Sequence, residues 1–236
     1  MRPRDVTAEV VTRETERLLA TAAELTEETV RAPSLCEGWT RAHVLSHVAR
    51  NAEALARLCR AGLTGTAETM YAADDVRDAD VETGAGLAVA ELVAAVRATA
   101  QPLTPLLARV GAAGRDLEGR TVERTPGGRR VPVDRAPFLR LREVVVHHVD
   151  LDAGFSFADV PPGLARLLFD NAMRTLREHP AAPSVKIRTV EGDVHVVGDG
   201  AAYVTGSRAG VLLWLLRRRP DGVTCRTDLP ALPFGG

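Results

Sequence analysis

A glutamate and a histidine lie four residues apart in an apolar run of the chain. Glu143 and His147 belong to the stretch Arg-Glu-Val-Val-Val-His-His-Val, and in a helix both side chains project from one face, one turn apart. A carboxylate and an imidazole in this arrangement can share a cation. His47 lies in another apolar stripe and offers a third ligand. The pattern therefore predicts a divalent-metal site between two helices, with His47, Glu143 and His147 as ligands and coordination positions open for chemistry.

Two histidines and one glutamate with an open position are typical of catalytic zinc, whereas structural zinc sites are usually closed and rich in cysteine. The chain has three widely spaced cysteines, which are Cys36, Cys59 and Cys225. Their number and spacing argue against a disulfide framework and against a cysteine-rich zinc site. Glu-x-x-x-His is a weak motif by itself, because a buried histidine is more often a core residue with satisfied hydrogen bonds. Arg140 or Arg142 is an alternative, metal-free partner for a buried Glu143.

The other histidines and Asp150 are expected to lie outside the set of metal ligands, with one alternative. His43 precedes His47 by one turn and is an alternative ligand, although its place at the start of a helix predicts exposure. His148 points about 100° away from His147 on a helix, so we expect it outside the ligand set. Asp150 is expected at the helix C-terminus or as an outer partner of a ligand. Solvated or structural roles are expected for the histidines of the second part of the chain, His179 and His195.

The composition is that of an ordinary soluble globular protein. Of 236 residues, 45% are hydrophobic and 26% are charged, and the formal net charge is −1. No global basic field attracts nucleic acid or an anionic membrane, so neither is an expected partner. The N-terminus has no apolar signal core and no apolar run is long enough to span a bilayer. We therefore expect a cytoplasmic protein.

Most of the first part of the chain is predicted to be helical. Apolar residues recur at helical spacing in residues 5–26, 41–61, 87–110 and the segment after Arg135. Thr40 is a suitable N-cap for the second helix, and Gly62 is a suitable terminator. Pro102 and Pro105 are expected to kink or divide the third helix. Pro137 suits the first turn of the fourth.

Two connections and a boundary complete the predicted organisation. Residues 64–86 are polar and are predicted to form a long loop of the kind that often carries function. Residues 121–133 surround Pro-Gly-Gly and predict a short hairpin. A Pro-Pro pair at 161–162 marks a boundary, so a helical-bundle, metal-binding domain is predicted for residues 1–155 and a small α+β domain for residues 160–236. In the second domain, helices are predicted over 164–178 and 207–218, and strands over 185–190, 194–197, 203–204 and 223–227.

Five motifs in order along the chain form a recognisable set. They are Ser-Leu-Cys-Glu-Gly-Trp-Thr at 34–40, His-Val-Leu-Ser-His-Val-Ala-Arg-Asn at 43–51, Met70-Tyr71 with residues 77–82, the segment 142–151, and the segment 206–218. Together they resemble the mycothiol-dependent maleylpyruvate isomerase family over essentially the whole chain. The resemblance implies a DinB-like four-helix bundle that carries zinc on His47, Glu143 and His147, followed by a small α+β domain.

The resemblance also implies which small molecules the protein binds. The cosubstrate would be mycothiol, the low-molecular-weight thiol of actinobacteria, and the substrate a dicarboxylate. Family members bind the substrate with arginines: Arg77 matches in the central segment, and Arg218 is the candidate at the end of the last helix, for substrate and cosubstrate. Arg217 and Arg219 are alternatives to Arg218. The ordinary explanation of these three consecutive arginines is that positive side chains stabilise the negative end of the helix dipole.

The implied reaction is the cis-trans isomerisation of maleylpyruvate to fumarylpyruvate, in aromatic degradation through the gentisate pathway. A metal-assisted thiolate would add to the double bond, the resulting single bond would rotate, and elimination would follow. A mycothiol S-transferase that acts on other electrophiles in detoxification is an alternative with the same metal and thiol. A non-enzymatic zinc-binding regulatory module is an alternative of another class. We expect a monomer or a weak homodimer.

Overall fold

Five helices and one hairpin form the first part of the chain in a computed structural model that describes residues 1–233. The helices are α1 (Ala8–Ala23), α2 (Arg41–Thr64), α3 (Asp74–Ala85), α4 (Val89–Ala113) and α5 (Ala136–Asp150), and the hairpin strands are β1 (Thr121–Glu123) and β2 (Arg130–Pro132). The four long helices, α1, α2, α4 and α5, pack as a bundle, because each turns an apolar stripe inward. Leu18, Leu45 and Val144 are fully buried in its core. The predicted four-helix bundle is confirmed.

Helix α2 begins where the sequence predicts and ends later. The Thr40 hydroxyl accepts a hydrogen bond from the His43 N–H, as expected of an N-cap. The helix continues through Gly62 to Thr64 and is capped by Gly65, whose φ of 77° is left-handed. Gly62 is needed for close packing, since a Cβ there would lie 2.4 Å from Val133 Cγ1. The prediction that Gly62 terminates the helix is wrong.

The predicted loop at residues 64–86 contains helix α3. Only Val81 and Ala85 of this helix are buried, so its apolar pattern is too weak to be recognised in the sequence. Asp74 and Asp75 lie in its first turn, where negative charge complements the positive end of the helix dipole. The Ser46 hydroxyl, on α2, donates to the Val81 carbonyl oxygen (2.9 Å). Polar contacts therefore hold α3 against the bundle.

The two prolines do not divide α4. Pro102 and Pro105 both lie inside one continuous helix, whose apolar side packs in the bundle core. The hairpin prediction is confirmed, with antiparallel pairing of Val122 and Val131. The segment before α3 extends this hairpin, because the Met70 N–H donates to the Glu123 carbonyl oxygen (3.0 Å).

The chain from Gly154 onward forms a second compact unit, distinct from Arg2–Ala153. Its elements are α6 (Pro162–Glu178), β3 (Val185–Thr189), β4 (Val194–Val197), β5 (Ala202–Gly206), α7 (Arg208–Arg217) and β6 (Val223–Cys225). The strands form one mixed sheet in the order β4-β3-β5-β6, in which β3 and β5 are parallel and the other pairs antiparallel. Phe169 and Ile187 are fully buried, and Trp214 is 3% exposed. The predicted small α+β fold is confirmed. Among residues 1–233, none of the helices combines the length and the apolarity needed to cross a bilayer.

Candidate metal centre

Helices α2 and α5 bring one histidine, one glutamate and a second histidine together. Glu143 Oε2 lies 3.2 Å from Nε2 of His47 and 3.5 Å from Nε2 of His147. One ligand atom from each residue lies within 4.8 Å of the other two. The three side chains are between 11% and 15% exposed. Two imidazole nitrogens and a carboxylate oxygen in one nearly enclosed cluster form a donor set typical of catalytic zinc.

Aromatic contacts fix the two imidazoles. The His47 and His147 rings meet edge to face with their centroids 4.7 Å apart. The Trp39 ring, which precedes α2, lies 5.3 Å from the His47 ring. Ring packing of this kind restrains the rotation of both imidazoles.

Outer partners orient the ligands from α5. Asp150, which is fully buried, lies 2.8 Å from His147 Nδ1. A carboxylate accepts, so His147 Nδ1 carries a proton and its Nε2 faces Glu143. Arg142 Nη2 donates to Glu143 Oε1 at 2.8 Å. Oε2 of Glu143 is therefore the oxygen directed at the histidines, and Asp150, the last residue of α5, contacts the far side of the His147 ring.

The environment of the cluster shifts the pKa values of Glu143, His147 and His47 in different directions. Burial disfavours the ionised form of Glu143, yet Arg142 and the two histidines hold its pKa well below the ordinary value. Burial also disfavours a charged His147, but its hydrogen bonds, the first of them with Asp150, hold its pKa well above the ordinary value. Burial lowers the pKa of His47. Without a cation, the pKa values of the two imidazoles are thus shifted in opposite directions.

A thiol lies on the outer side of the cluster. The Cys36 sulfur, a ring nitrogen of His147 and an Asp150 oxygen also lie within 4.8 Å of one another. Cys36 is 9% exposed, and its N–H donates to the Ser34 hydroxyl (3.1 Å). The group of Cys36, His147 and Asp150 shares His147 with the candidate metal ligands. The hydrogen bond between His147 and Asp150 already explains why these two residues lie close together.

The two histidines next to the ligands lie elsewhere. His43 Nε2 is 3.0 Å from a Glu82 oxygen, and the side chain is 18% exposed. The prediction that His43 is exposed is therefore wrong, because Glu82 of α3 covers it. His148 bonds the Thr21 hydroxyl of α1 (2.7 Å), so it points away from the cluster, as expected.

Of the two arginines singled out for the substrate, Arg77 belongs to the same unit as this cluster. It lies on α3, where its Nη2 is 2.8 Å from an Asp78 oxygen. Its Nε is buried and has no hydrogen-bond partner within residues 1–233. Arg77 lines a cavity of about 350 Å³, and its charge contributes to the lowered pKa of His47.

Arg218 belongs to the second unit. It ends α7 with a left-handed φ of 54°, and its N–H donates to the Trp214 carbonyl oxygen (2.8 Å). A non-glycine residue in this conformation is uncommon and is found more often at functional sites. Nε of neighbouring Arg219 lies 3.7 Å from an Asp221 oxygen. Contact of Arg218 with a ligand remains a prediction.

The sequence did not reveal the role of two polar residues beside the cluster. Arg140 is fully buried, and its Nη1 donates to the Val48 carbonyl oxygen and to Asn51 Oδ1. Asn51 follows His47 by one turn of α2. The only sequence signal was Asn51 itself, a second polar residue in the otherwise apolar stripe of α2. Because Arg140 bonds Val48 and Asn51, the direct partner of Glu143 is Arg142.

Known proteins resemble the chain in sequence and in fold. The sequence model of the mycothiol maleylpyruvate isomerase N-terminal domain matches residues 11–152. None of the curated proteins compared with the chain is a match. Crystal structures of a mycothiol-dependent maleylpyruvate isomerase and of its histidine-to-alanine mutant each superpose with a TM-score of 0.86, at 26% identity and with 99% of both chains covered. The chain therefore belongs to the mycothiol maleylpyruvate isomerase family.

Proposed function

We propose that the protein is a mycothiol-dependent cis-trans isomerase that converts maleylpyruvate to fumarylpyruvate with zinc on His47, Glu143 and His147. The proposal rests on the convergence of three ligand atoms within 4.8 Å in the part of the chain that the family model matches. The solved relatives, which share the fold over both chains, support it further.

The residues present suit a zinc ion. Two ring nitrogens approach one carboxylate oxygen, so a cation between them would have three protein ligands and leave a fourth position for a thiol. Zinc at this position would supply a Lewis acid that stabilises a thiolate near neutral pH. Asp150 turns Nε2 of His147 toward the side on which a cation would bind, and Arg142 leaves Oε2 of Glu143 available.

Arginines would hold the substrate. A guanidinium binds a carboxylate through two parallel N–H donors, and this fixes the orientation of the double bond relative to the thiol. Arg77 has a buried Nε without a partner in the described chain, lines a cavity, and carries a charge that acts on His47. Arg218 is the second arginine of the proposal, with its left-handed backbone as support.

The test is turnover of maleylpyruvate by zinc-loaded protein with mycothiol, with glutathione and with no thiol. Turnover that requires mycothiol is the expected result. Turnover without any thiol would contradict the proposal. No turnover by protein that still holds zinc, together with conjugation of mycothiol to other electrophiles, would favour the S-transferase.

Single substitutions test the metal ligands directly. His47→Ala is expected to lose zinc and turnover together, measured as zinc per protein and as initial rate. His43→Ala is the matched control, one turn earlier on the same helix, and should keep its zinc because His43 faces Glu82. Full activity of a zinc-free His47→Ala protein would refute the ligand assignment. Arg77→Ala should keep zinc and lose turnover.

A further inference from the structure

The segment before α3 fixes Tyr71 beside the hairpin. The Tyr71 N–H donates to the Arg124 carbonyl oxygen (2.8 Å), and the Tyr71 carbonyl oxygen accepts from the Thr69 hydroxyl (2.9 Å). The Arg124 guanidinium lies 5.0 Å from the centroid of the Tyr71 ring, a cation–π distance. Tyr71 is only 8% exposed. Both its backbone and its ring are thus held in place by the protein itself.

A buried arginine sets the orientation of the neighbouring amide. Arg140 Nη1 lies 2.9 Å from the Asn51 side-chain oxygen. A guanidinium has donors only, so the Asn51 atom that faces it must be the oxygen, and the amide nitrogen faces elsewhere. Burial raises the pKa of Tyr71, and a hydrogen bond from the Asn51 side chain opposes that rise. The amide nitrogen can only donate, so the Tyr71 oxygen accepts and its own O–H proton remains available.

That proton is available beside a cavity, at a position where the charge of Glu143 is felt. Tyr71 lines the cavity of about 350 Å³ together with Arg77. The charge of Glu143 acts on the Tyr71 phenol, and the charge of Arg77 acts on both Tyr71 and His47. Burial, more than these charges, raises the pKa of Tyr71, so the hydroxyl keeps its proton at neutral pH. The residues that line the cavity include two arginines, one of them Arg77, and two carboxylates, so their charges balance. The neutral Tyr71 hydroxyl would therefore recognise a substrate oxygen by its position and not by its charge.

We propose that Tyr71 is a catalytic residue that donates a hydrogen bond to a substrate oxygen, and that Asn51 and Arg140 are the residues that position it. The inference rests on the proposed function and deepens it. Addition of a thiolate to a double bond conjugated with a carbonyl places negative charge on the carbonyl oxygen. A fixed neutral donor stabilises this charge more in the transition state than in the bound substrate, so it increases kcat.

The first test is Tyr71→Phe, which removes the hydroxyl and keeps the ring. The kcat for maleylpyruvate is expected to fall by about 100-fold, with zinc content and melting temperature unchanged. The chain has two tyrosines, and Tyr203→Phe, in the second unit, is the matched control, expected to leave kcat unchanged. A Tyr71→Phe enzyme with the kcat of the wild type would overturn the inference.

The second test reverses the positioning bond. Asn51→Asp keeps an acceptor for Arg140 but has no N–H for Tyr71, so the Tyr71 proton would be donated to the new carboxylate instead of the substrate. We expect a loss of kcat similar to that of Tyr71→Phe, and no further loss when both substitutions are combined. Losses that multiply in the double variant would show independent effects and overturn the positioning role. If Asn51→Asp does not fold, the Tyr71→Phe result decides alone.

The two proposals fail in different ways. Wild-type protein that holds zinc but does not turn over maleylpyruvate with mycothiol would overturn the proposed function and this inference with it. Wild-type protein that turns over maleylpyruvate, alongside an equally active Tyr71→Phe variant, would overturn the role of Tyr71 alone.

Discussion

At the scale of single residues, the two histidines of the candidate metal centre differ before any metal binds. Burial lowers the pKa of His47, whereas His147 lies between Glu143 and Asp150 and has a pKa well above the ordinary value. The proton on Nε2 of His147 therefore occupies the side of the ring that faces Glu143, where the cation would bind. Metal and proton compete for one nitrogen.

This competition predicts proton release. Because the raised pKa keeps His147 protonated at pH 7, zinc binding to metal-free protein should release about one proton from it, and apparent affinity should fall about tenfold per pH unit below that pKa. His47, already neutral, contributes no proton. Calorimetric titration in two buffers of different ionisation enthalpy measures the release. Asp150→Asn should reduce the release, because it removes the partner that raises the pKa; identical heats in both buffers would contradict the prediction.

The cysteines differ in reactivity for a physical reason. Burial raises the pKa of Cys59 to about 12, whereas a hydrogen bond with Thr227 lowers the pKa of Cys225, which is also partly exposed. The thiolate is the reactive form. At pH 8, iodoacetamide should modify Cys225 well before Cys59 in the folded protein, as followed by peptide mass spectrometry. Equal rates in folded protein would refute this order, and equal rates are expected once the protein is unfolded.

At the scale of elements, the helices with strong apolar stripes and clear capping residues could be predicted from the sequence. Thr40 and Pro137 mark helix starts correctly, and the Glu-x-x-x-His spacing places Glu143 and His147 on one face. Helix α3 was missed because it buries only two residues. The Asn51–Tyr71 hydrogen bond was missed because it joins segments whose proximity is a property of the fold, and no periodicity encodes it.

Gly62 shows how a correct rule can point to a wrong boundary. Glycine is common at helix ends and equally necessary where elements approach closely. Only the tertiary partner, Val133, distinguishes the two cases, and Val133 lies far away in the sequence. Long-range packing of this kind accounts for most of what could not be predicted.

Helix α2 therefore allows a specific stability prediction. Gly62→Ala should destabilise the protein by about 1–3 kcal/mol, because the new Cβ would lie within 2.4 Å of Val133 Cγ1. Gly111→Ala, at a helical glycine with nothing within 4 Å of a new Cβ, is the matched control and should stabilise by up to about 1 kcal/mol through helix propensity. Urea unfolding measures both. Val133→Ala should relieve the clash, and a neutral Gly62→Ala would contradict the packing argument.

At the scale of the whole molecule, the candidate metal ligands and one candidate arginine belong to different units. His47, Glu143 and His147 lie in Arg2–Ala153, whereas Arg218 lies in the unit that begins at Gly154. The solved isomerase structures match across 99% of both chains, so both units are part of the shared architecture. Metal binding and substrate binding should therefore be separable by mutation.

The separation is tested at the last helix. Arg218→Ala should lower kcat/KM for maleylpyruvate by about 10-fold to 100-fold, the loss expected for one hydrogen bond to a charged group. Zinc content should not change. Arg217→Ala and Arg219→Ala show whether a neighbour holds the role, and Arg188→Ala, on strand β3, controls for loss of positive charge in this unit. Zinc loss in Arg218→Ala would contradict the division of roles.

The chain has two tryptophans, and each unit holds one of them. Trp39 lies 5.3 Å from the His47 ring, and Trp214 is buried in α7 of the second unit. Each unit therefore has its own intrinsic fluorophore. In a Trp214→Phe protein, all tryptophan emission would come from the side of the metal centre and report cation binding without a label. In a Trp39→Phe protein, the emission would follow the folding of the second unit alone.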